Sequence, residues 1–168
     1  PPQPYIPLGL LSIGAVLENA GHEVTIVDQT RIAQEAQIEF GSLDFFTAVI
    51  QHIQDSNPDA VGFSTICNTY PQTIELSRQY RRVNPDIFLI LGGPQATAVD
   101  VETLEQFPWI NLIVRGEAEH TILELAEQLQ RMQFPTNLRG ISFRQRNQIR
   151  RNPDAPPIQR LDELPIPA

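Results

Sequence analysis

Short apolar runs of strand type alternate with segments of helical periodicity along most of the chain, and no other feature constrains the fold as strongly. Strands are predicted at 23–27, 60–64, 87–91 and 111–115. Helices are predicted at 7–20, 43–56, 71–83, 100–107 and 117–132. Because parallel neighbouring strands need a crossover, usually a helix, this order predicts an α/β fold with a doubly wound, flavodoxin-like (Rossmann-like) parallel sheet.

Local signals mark where several of these helices begin and end. Pro7 suits the first helical turn, and Gly21 suits the left-handed residue that follows a helix. Ser42 is placed to cap the second helix, and Asn-Pro-Asp turns at 57–59 and 84–86 separate helices from strands. The apolar side of the second helix is predicted from four residues at helical spacing: Leu43, Phe46, Ile50 and Ile53.

After the last predicted helix the pattern changes from helical to alternating. Ile141 and Phe143 alternate with polar residues and face 148–150 across a turn at 146–147, which predicts a β-hairpin. Residues 153–168 hold five prolines and predict an extended connector. The expected organisation is an α/β domain, a hairpin extension and a connector, at 1–132, 133–152 and 153–168.

No predicted strand precedes the first helix, although a βαβ unit needs one there. In a flavodoxin-like order that strand lies inside the sheet. We therefore expect the first strand to be missing from this sequence, and the parent polypeptide to extend in both directions.

Charge excludes one class of partner. The formal net charge is −8 and the sequence pI is about 4.8, and all twelve basic residues are arginine. Residues 1–130 carry 17 acids and 5 arginines, whereas residues 131–168 carry 3 acids and 7 arginines. Because the acidic part offers no phosphate-binding surface, nucleic acid is not an expected partner.

Cysteine and histidine usage excludes several kinds of site. The single cysteine, Cys67, permits no internal disulfide and no multi-cysteine metal centre, and it fits a reducing compartment. The three histidines, His22, His52 and His120, have no second ligand at metal-binding spacing, so no metal site is predicted. The longest apolar run, 8–17, is too short for a membrane span and has no signal-peptide flank, which favours a cytoplasmic protein.

Loops after the predicted strands are where a ligand is expected, because doubly wound sheets bind ligands at the carboxyl ends of their strands. The first such loop is crowded with hydroxyl and amide groups, the next carries two consecutive glycines that permit close approach, and the last carries a glycine and acids. The candidate ligand-binding residues are Ser64, Thr65, Ile66, Asn68, Tyr70, Gly92, Gly93, Pro94, Gln95, Gly116 and Glu117.

Structural interpretations of the same residues stay open. Thr69 with Pro71 can cap a helix, and Glu117 and Glu119 can be first-turn acids that the helix dipole stabilises. Asp28 ends a predicted strand, but without a Gly-x-Gly-x-x-Gly loop it does not predict a dinucleotide site. No nucleophile, base and orienting group can be assembled, so no catalytic residue is assigned.

Arginines gather around the predicted hairpin. Such charge runs usually form a solvated surface, and the alternative is a docking face, because guanidinium groups pair with carboxylates bidentately. With the connector that follows, we expect the hairpin to sit against another domain. The residues concerned are Arg139, Arg144, Arg146, Arg150 and Arg151.

Short motifs occur in a fixed order along nearly the whole chain. They are Pro7-Leu-Gly-Leu-Leu, Gly21-His-Glu-Val, Gly62-Phe-Ser-Thr, Tyr70-Pro71, Leu91-Gly-Gly-Pro, Arg115-Gly-Glu-Ala-Glu, Gly140-Ile-Ser-Phe-Arg and Leu161-Asp-Glu-Leu-Pro-Ile-Pro. In this order they resemble the amino-terminal cobalamin (B12)-binding domain of B12-dependent radical S-adenosylmethionine (SAM) enzymes, the group that includes the anaerobic magnesium-protoporphyrin ester cyclase and several methyltransferases.

The resemblance implies a cofactor and roles for particular residues. Ser64-Thr65-Ile66 followed by Gly92 and Gly93 is similar to the Ser-x-Leu and Gly-Gly pair of cobalamin-binding domains. By that resemblance Ser64 faces the dimethylbenzimidazole tail and the two glycines let it pass, so a Cβ at either glycine is expected to intrude. The Asp-x-His-x-x-Gly motif that supplies a lower axial histidine in other B12 proteins is absent.

The resemblance also implies a larger parent enzyme. The [4Fe–4S] cluster and S-adenosylmethionine are expected only in the parent, in a radical SAM domain after Ala168 of the same polypeptide. The parent is then a radical SAM oxidoreductase or methyltransferase, and this chain is not catalytic alone. Two alternatives stay open: half of a two-Rossmann nucleotide-sugar glycosyltransferase, and a ligand-free α/β interaction domain.

Overall fold

The structure is a computed structural model that describes residues 7–146 and 148–167. Helices and strands alternate through most of this range, with a short 3-10 turn near the end, Leu161–Glu163. The helices are α1 Leu8–Asn19, α2 Gln29–Glu35, α3 Leu43–Asp55, α4 Tyr70–Val83, α5 Gly93–Ala98, α6 Asp100–Gln106 and α7 Glu119–Gln130. The strands are β1 Ala60–Ser64, β2 Phe88–Gly92, β3 Leu112–Val114, β4 Ile141–Gln145 and β5 Gln148–Arg151.

The strands form one open sheet in the order β1-β2-β3-β4-β5. The first three are parallel and are joined by helices, whereas β4 and β5 are antiparallel and extend the sheet beyond β3. The predicted doubly wound α/β class is confirmed, and the predicted hairpin is β4–β5. Parallel pairing brings Ser64 of β1 opposite Gly92 of β2, so the ends of these strands lie side by side.

Helices cover both faces of the sheet, but unevenly. On one face Val61 and Phe63 of β1 belong to the large core that α3 and α4 complete. On the other face a smaller core gathers where α7 packs over β2, β3 and β4. Because side chains alternate along a strand, Gly62 and Ser64 point to this second face, where they are exposed.

One predicted strand is wrong. Residues 22–28 are assigned no strand, and no described residue forms a sheet ladder with them. The segment packs on α1 instead: a Cβ on Gly14 would lie 3.1 Å from Ile26 Cδ1. The β-branched pattern records side-chain packing correctly, but a strand also needs a neighbouring backbone. The sheet therefore has three parallel strands among the described residues rather than the predicted four.

The segment ends in a helix that the sequence did not predict. Asp28 is the N-cap of α2, and its carboxylate accepts hydrogen bonds from the backbone N–H groups of Thr30 and Arg31 at 2.9 and 3.2 Å. Its role in the described structure is therefore helix capping. The acid that ends the predicted strand is in fact the first signal of the next helix.

Two of the other local signals behave as predicted, whereas Pro7 is the N-cap of α1 rather than a residue of its first turn. Gly21 follows α1 with φ +89°, and Ser42 Oγ accepts from Phe45 N–H at 3.2 Å. Leu43, however, is 73% exposed, because the buried side of α3 runs through Phe45 and Val49 as well as the three other predicted positions. Within the described residues, no helix combines the length and apolar character required to cross a membrane.

Candidate functional site

The ends of β1 and β2 form an open surface. Apart from the two chain neighbours of Gly62, no heavy atom of the described residues lies within 4 Å of the position where a Cβ on Gly62 would stand. Ser64, two residues further along the same face, is exposed, and its hydroxyl makes no hydrogen bond to any residue in the part of the chain that the structure describes. A glycine floor with a free hydroxyl at its end can accept a flat or extended group without displacing a side chain.

Beside this surface the two glycines of the second loop have different roles. Gly93 has φ +90°, and a Cβ there would lie 2.6 Å from Thr65 O and 2.8 Å from Thr65 N. Gly92 has extended backbone, and among the described residues a Cβ there would meet only Val114 O, at the ordinary contact distance of 3.6 Å. The expected obstruction at Gly93 therefore involves the protein's own backbone.

Thr65 holds this turn in place. Its side chain is fully buried, its Oγ1 donates to Gly92 O at 2.9 Å, and the same oxygen accepts from Ala96 N–H at 2.9 Å. Its backbone N–H also donates to Gly92 O at 2.9 Å. The predicted ligand contact is thus a residue whose hydroxyl already serves the junction of β1, β2 and α5.

The rest of the first loop divides between the surface and the interior. Asn68 is exposed and Ile66 is half-buried. Thr69 occupies the N-cap position of α4, but its hydroxyl bonds with Ile66 rather than capping the helix. Tyr70 turns into the helical layer, where its hydroxyl lies 2.6 Å from Thr103 Oγ1. Of these candidates in the first loop, Asn68 and Ser64 are the two exposed polar residues.

The remaining candidates lie along the ends of β2 and β3. Pro94 is exposed in the first turn of α5, and Gln95 is half-buried. Gly116 has φ +68°, and its N–H donates to Thr97 Oγ1 at 3.1 Å, which links the loop after β3 to α5. The ends of β1, β2 and β3 with the loops that follow them, here called the rim, therefore form one connected edge of the sheet.

The glutamates of the third loop have partners within the chain. Glu117 accepts from the backbone N–H of Ile158 at 2.6 Å, and it lies before α7 rather than in its first turn. Glu119 is in the first turn, as the structural interpretation predicted, and also accepts from Ser12 Oγ at 3.0 Å. The Glu119 contact ties α1 to α7.

Gly62 was missing from the residues predicted for the site. Its signal was nevertheless present, since a glycine in the middle of a buried strand marks either a bulge or a place where another group approaches closely.

Within the described ranges, no three His, Cys, Asp or Glu side chains are grouped as metal ligands.

Doubly wound α/β domains bind their ligands at the carboxyl ends of the parallel strands, and this domain has an open, glycine-floored surface there. The model of the B12 binding domain matches residues 1–126. The chain belongs to the B12-binding domain family, and cobalamin is the cofactor of that family. The exposed Ser64 hydroxyl and the empty space above Gly62 fit a bulky cofactor at this place.

Similar curated proteins are much longer than this chain. The anaerobic magnesium-protoporphyrin IX monomethyl ester cyclase of Synechocystis sp. is 33% identical over 164 residues, which cover 96% of this chain and 31% of the cyclase. An uncharacterized methyltransferase of Pyrococcus horikoshii is 28% identical over 162 residues, covering 96% and 33%. The chain thus spans about a third of the length of these relatives. The glycosyltransferase alternative is not supported.

Solved structures share the fold. TsrM from Kitasatospora setae, a radical S-adenosylmethionine methyltransferase solved with cobalamin and a [4Fe-4S] cluster, superposes with a TM-score of 0.76 at 21% identity, over 100% of this chain and 29% of its own. OxsB, a cobalamin-dependent S-adenosylmethionine radical enzyme solved with aqua-cobalamin, gives 0.79 at 19% identity, over 99% and 22%. At these identities the likeness concerns the fold alone.

Proposed function

We propose that this chain is the cobalamin-binding module of a larger radical SAM enzyme, and that the nucleotide tail of cobalamin lies across the open face of β1. The observation that carries the proposal is the space above Gly62, continuous along the strand with the exposed hydroxyl of Ser64. A covered face would need a large side chain or a helix at this place, and the described residues supply neither.

The chain's own residues bind and orient the cofactor in this proposal. Gly62 provides a floor that the tail approaches closely, and Ser64 offers a hydrogen bond to it. Thr65 keeps Gly92 and Gly93 in the conformation that leaves the strand ends clear. When bound, cobalamin supplies cobalt-centred methyl-transfer or redox chemistry, and the protein supplies its position.

The wider enzyme is part of the same proposal. The similar proteins, which are a cyclase and methyltransferases, support a parent of oxidoreductase or methyltransferase class. A radical SAM domain carrying the [4Fe–4S] cluster and S-adenosylmethionine would follow the connector in the same polypeptide. The division into 1–132, 133–152 and 153–168 remains our proposal for the domain boundaries. The exposed free thiol of Cys67 supports a reducing, cytoplasmic setting.

Titration with hydroxocobalamin, followed by visible absorbance, tests the binding surface. The protein is expected to bind with a Kd of about 1 μM or below. Gly62→Leu places a side chain in the open space and should weaken binding by about 100-fold, because the tail and the leucine cannot share the surface. Thr47→Leu is the matched control: it adds a leucine to an exposed position of α3, on the other face of the sheet, and should leave the Kd within about twofold.

Ser64→Ala tests the hydrogen bond separately from the shape of the surface. The loss of one neutral hydrogen bond should raise the Kd by about 2- to 12-fold. Thermal melts verify that each variant is folded. The proposal is contradicted if the unsubstituted protein shows no spectral change, or if Gly62→Leu binds cobalamin as tightly as the unsubstituted protein does.

A further inference from the structure

The last residue of the predicted hairpin extension and the start of the predicted connector are held against the domain. Residues 152–158, here called the strap, make backbone and side-chain hydrogen bonds to the sheet and its loops. Asn152 N–H donates to Ile141 O at 3.0 Å, and Gly140 N–H donates to Pro153 O at 2.8 Å. Asn152 Nδ2 donates to Leu138 O at 2.6 Å. A free linker would make none of these contacts.

Arg115 is the centre of these contacts. Its side chain is only 2% exposed, Nη1 donates to Asp154 Oδ1 at 2.6 Å, and Nη2 donates to Asn152 O at 2.6 Å. Nε lies 3.3 Å from Asp100 Oδ2, without hydrogen-bond geometry. Burial lowers the pKa of Arg115, whereas Asp100 and Asp154 act in the opposite direction. A guanidinium is buried at a cost that only such paired groups offset.

Residues 115–117 connect the strap to the rim, where the cofactor is proposed to bind. Arg115 directly follows β3, Gly116 N–H donates to Thr97 Oγ1 of α5, and Glu117 accepts from Ile158 N–H at the far end of the strap. Helix α5 begins at Gly93. The rim turn, the loop after β3 and the strap are therefore joined by consecutive hydrogen bonds.

Two hairpin arginines also hold the strap. Arg151 lies 3.1 Å from Asp100 Oδ2 and 3.4 Å from Asp154 Oδ1, and Arg139 donates to Asp154 O at 2.7 Å. Arg144, a third, donates to Leu104 O of α6. Arg139 and Arg151 are exposed, as a solvated surface predicts, although both also pair with the strap, whereas Arg144 is half-buried. The docking face stays a prediction for Arg146 and Arg150, which are exposed.

We propose that Arg115 is a positioning residue. Together with Asp154 and Glu117 it locks the strap to the β3 end of the rim, so that the polypeptide leaves the domain at a fixed place and in a fixed direction beside the cofactor surface. The position of the strap relative to the cofactor rests on the proposed function, whereas the locking of the strap does not.

Spin-label distances test the lock. Cys67 is a native exposed thiol on the rim, and Gln159→Cys adds a second one at an exposed position just after the strap. The pair should give one narrow distance distribution, and Asp154→Ala should broaden it at least about twofold, because Arg115 loses its partner in the strap. The side chain of Asp154 is 72% exposed but that of Arg115 is 2% exposed, so Asp154→Ala should lower Tm, and the melting curve verifies that the variant is still folded at the temperature of the distance measurement. Asp162→Ala, which removes an exposed carboxylate further along the connector, should not broaden the distribution.

Two further substitutions separate positioning from general stability. Arg115→Lys keeps the charge but lacks the fork that reaches Asp154 and Asn152 at once, so it should broaden the distribution as Asp154→Ala does. Glu117→Ala should speed exchange of the Ile158 amide hydrogen by about tenfold, whereas Glu117→Gln keeps an acceptor oxygen and should change it by less than about threefold.

A broad distribution in the starting protein, or one that Asp154→Ala leaves narrow, overturns the inference. Equal exchange in both Glu117 variants does the same. None of these measurements needs cobalamin, so a failed cobalamin titration with a narrow distribution would refute the proposed function alone.

Discussion

Gly93 offers the sharpest test of how the rim is built. Gly93→Ala introduces a Cβ where the structure places Thr65 O at 2.6 Å and Thr65 N at 2.8 Å, and it does so at φ +90°. Both neighbouring atoms are backbone atoms of a residue that is itself fixed by Gly92 and Ala96, so they cannot move aside cheaply. The matched substitution is Gly92→Ala. Its Cβ would lie at an ordinary contact distance of 3.6 Å from Val114 O, and the backbone of Gly92 is extended, a conformation that alanine adopts freely.

The expected cost has two parts. A left-handed backbone conformation costs a residue with a Cβ about 1–2 kcal/mol. Overpacking against neighbours that cannot relax costs about 1–3 kcal/mol more. Gly93→Ala should therefore lower the free energy of unfolding by about 2–5 kcal/mol, or Tm by about 4–20 °C at this chain length. Gly92→Ala should change the free energy by less than about 1 kcal/mol.

Urea denaturation followed by circular dichroism measures the free energy of unfolding of both variants and of the unsubstituted protein. The reasoning is refuted if Gly93→Ala costs less than about 1 kcal/mol, or if the two variants are equally destabilised. In the first case the turn relaxes without strain. In the second, glycine at either position serves the same structural purpose, and the distinction between Gly92 and Gly93 is wrong.

Three further predictions concern stability. Asp28→Ala should cost about 1 kcal/mol in urea denaturation through loss of the α2 cap, and Asp59→Ala, an exposed acid, less than about 0.5 kcal/mol. Asp100→Asn should cost about 3 kcal/mol in the same assay, because the buried Arg115 loses an opposite charge. Burial raises the pKa of Tyr80. The native state therefore keeps the phenolic proton longer than the unfolded chain does, and stability present below about pH 10 is lost as the pH rises above it. Tyr80→Phe should flatten this decline, and an unchanged slope would contradict the assignment.

The parallel core of the fold was predictable because its signals are local and uninterrupted. The run 87–91 is apolar throughout, which is typical of a strand buried on both faces, and it became β2 with a shift of one residue. Segment 23–27 has an equally β-like pattern but no pairing neighbour among the described residues. The pattern of β-branched and apolar residues indicates how the side chains pack. A strand also needs a neighbouring strand for its backbone hydrogen bonds, and the local sequence does not show whether one is there.

The candidate site was predictable in place but not in detail. The rule that ligands bind at strand ends brought Ser64 and Gly92 together, and the register confirms that they are opposite each other. The sequence did not reveal that Gly93 is required by the approach of Thr65, a contact between residues far apart along the chain. The strap was missed for the same reason, since prolines indicate an extended segment but not what it is docked against.

The most direct test of the central claim compares cobalamin with cobinamide, which has the same corrin ring but lacks the nucleotide tail. If the tail lies across β1, Gly62→Leu should weaken cobalamin binding by about 100-fold while the Kd for cobinamide changes by less than about threefold. Equal effects on both ligands, or no effect on either, would contradict the claim that the glycine floor of β1 holds the tail.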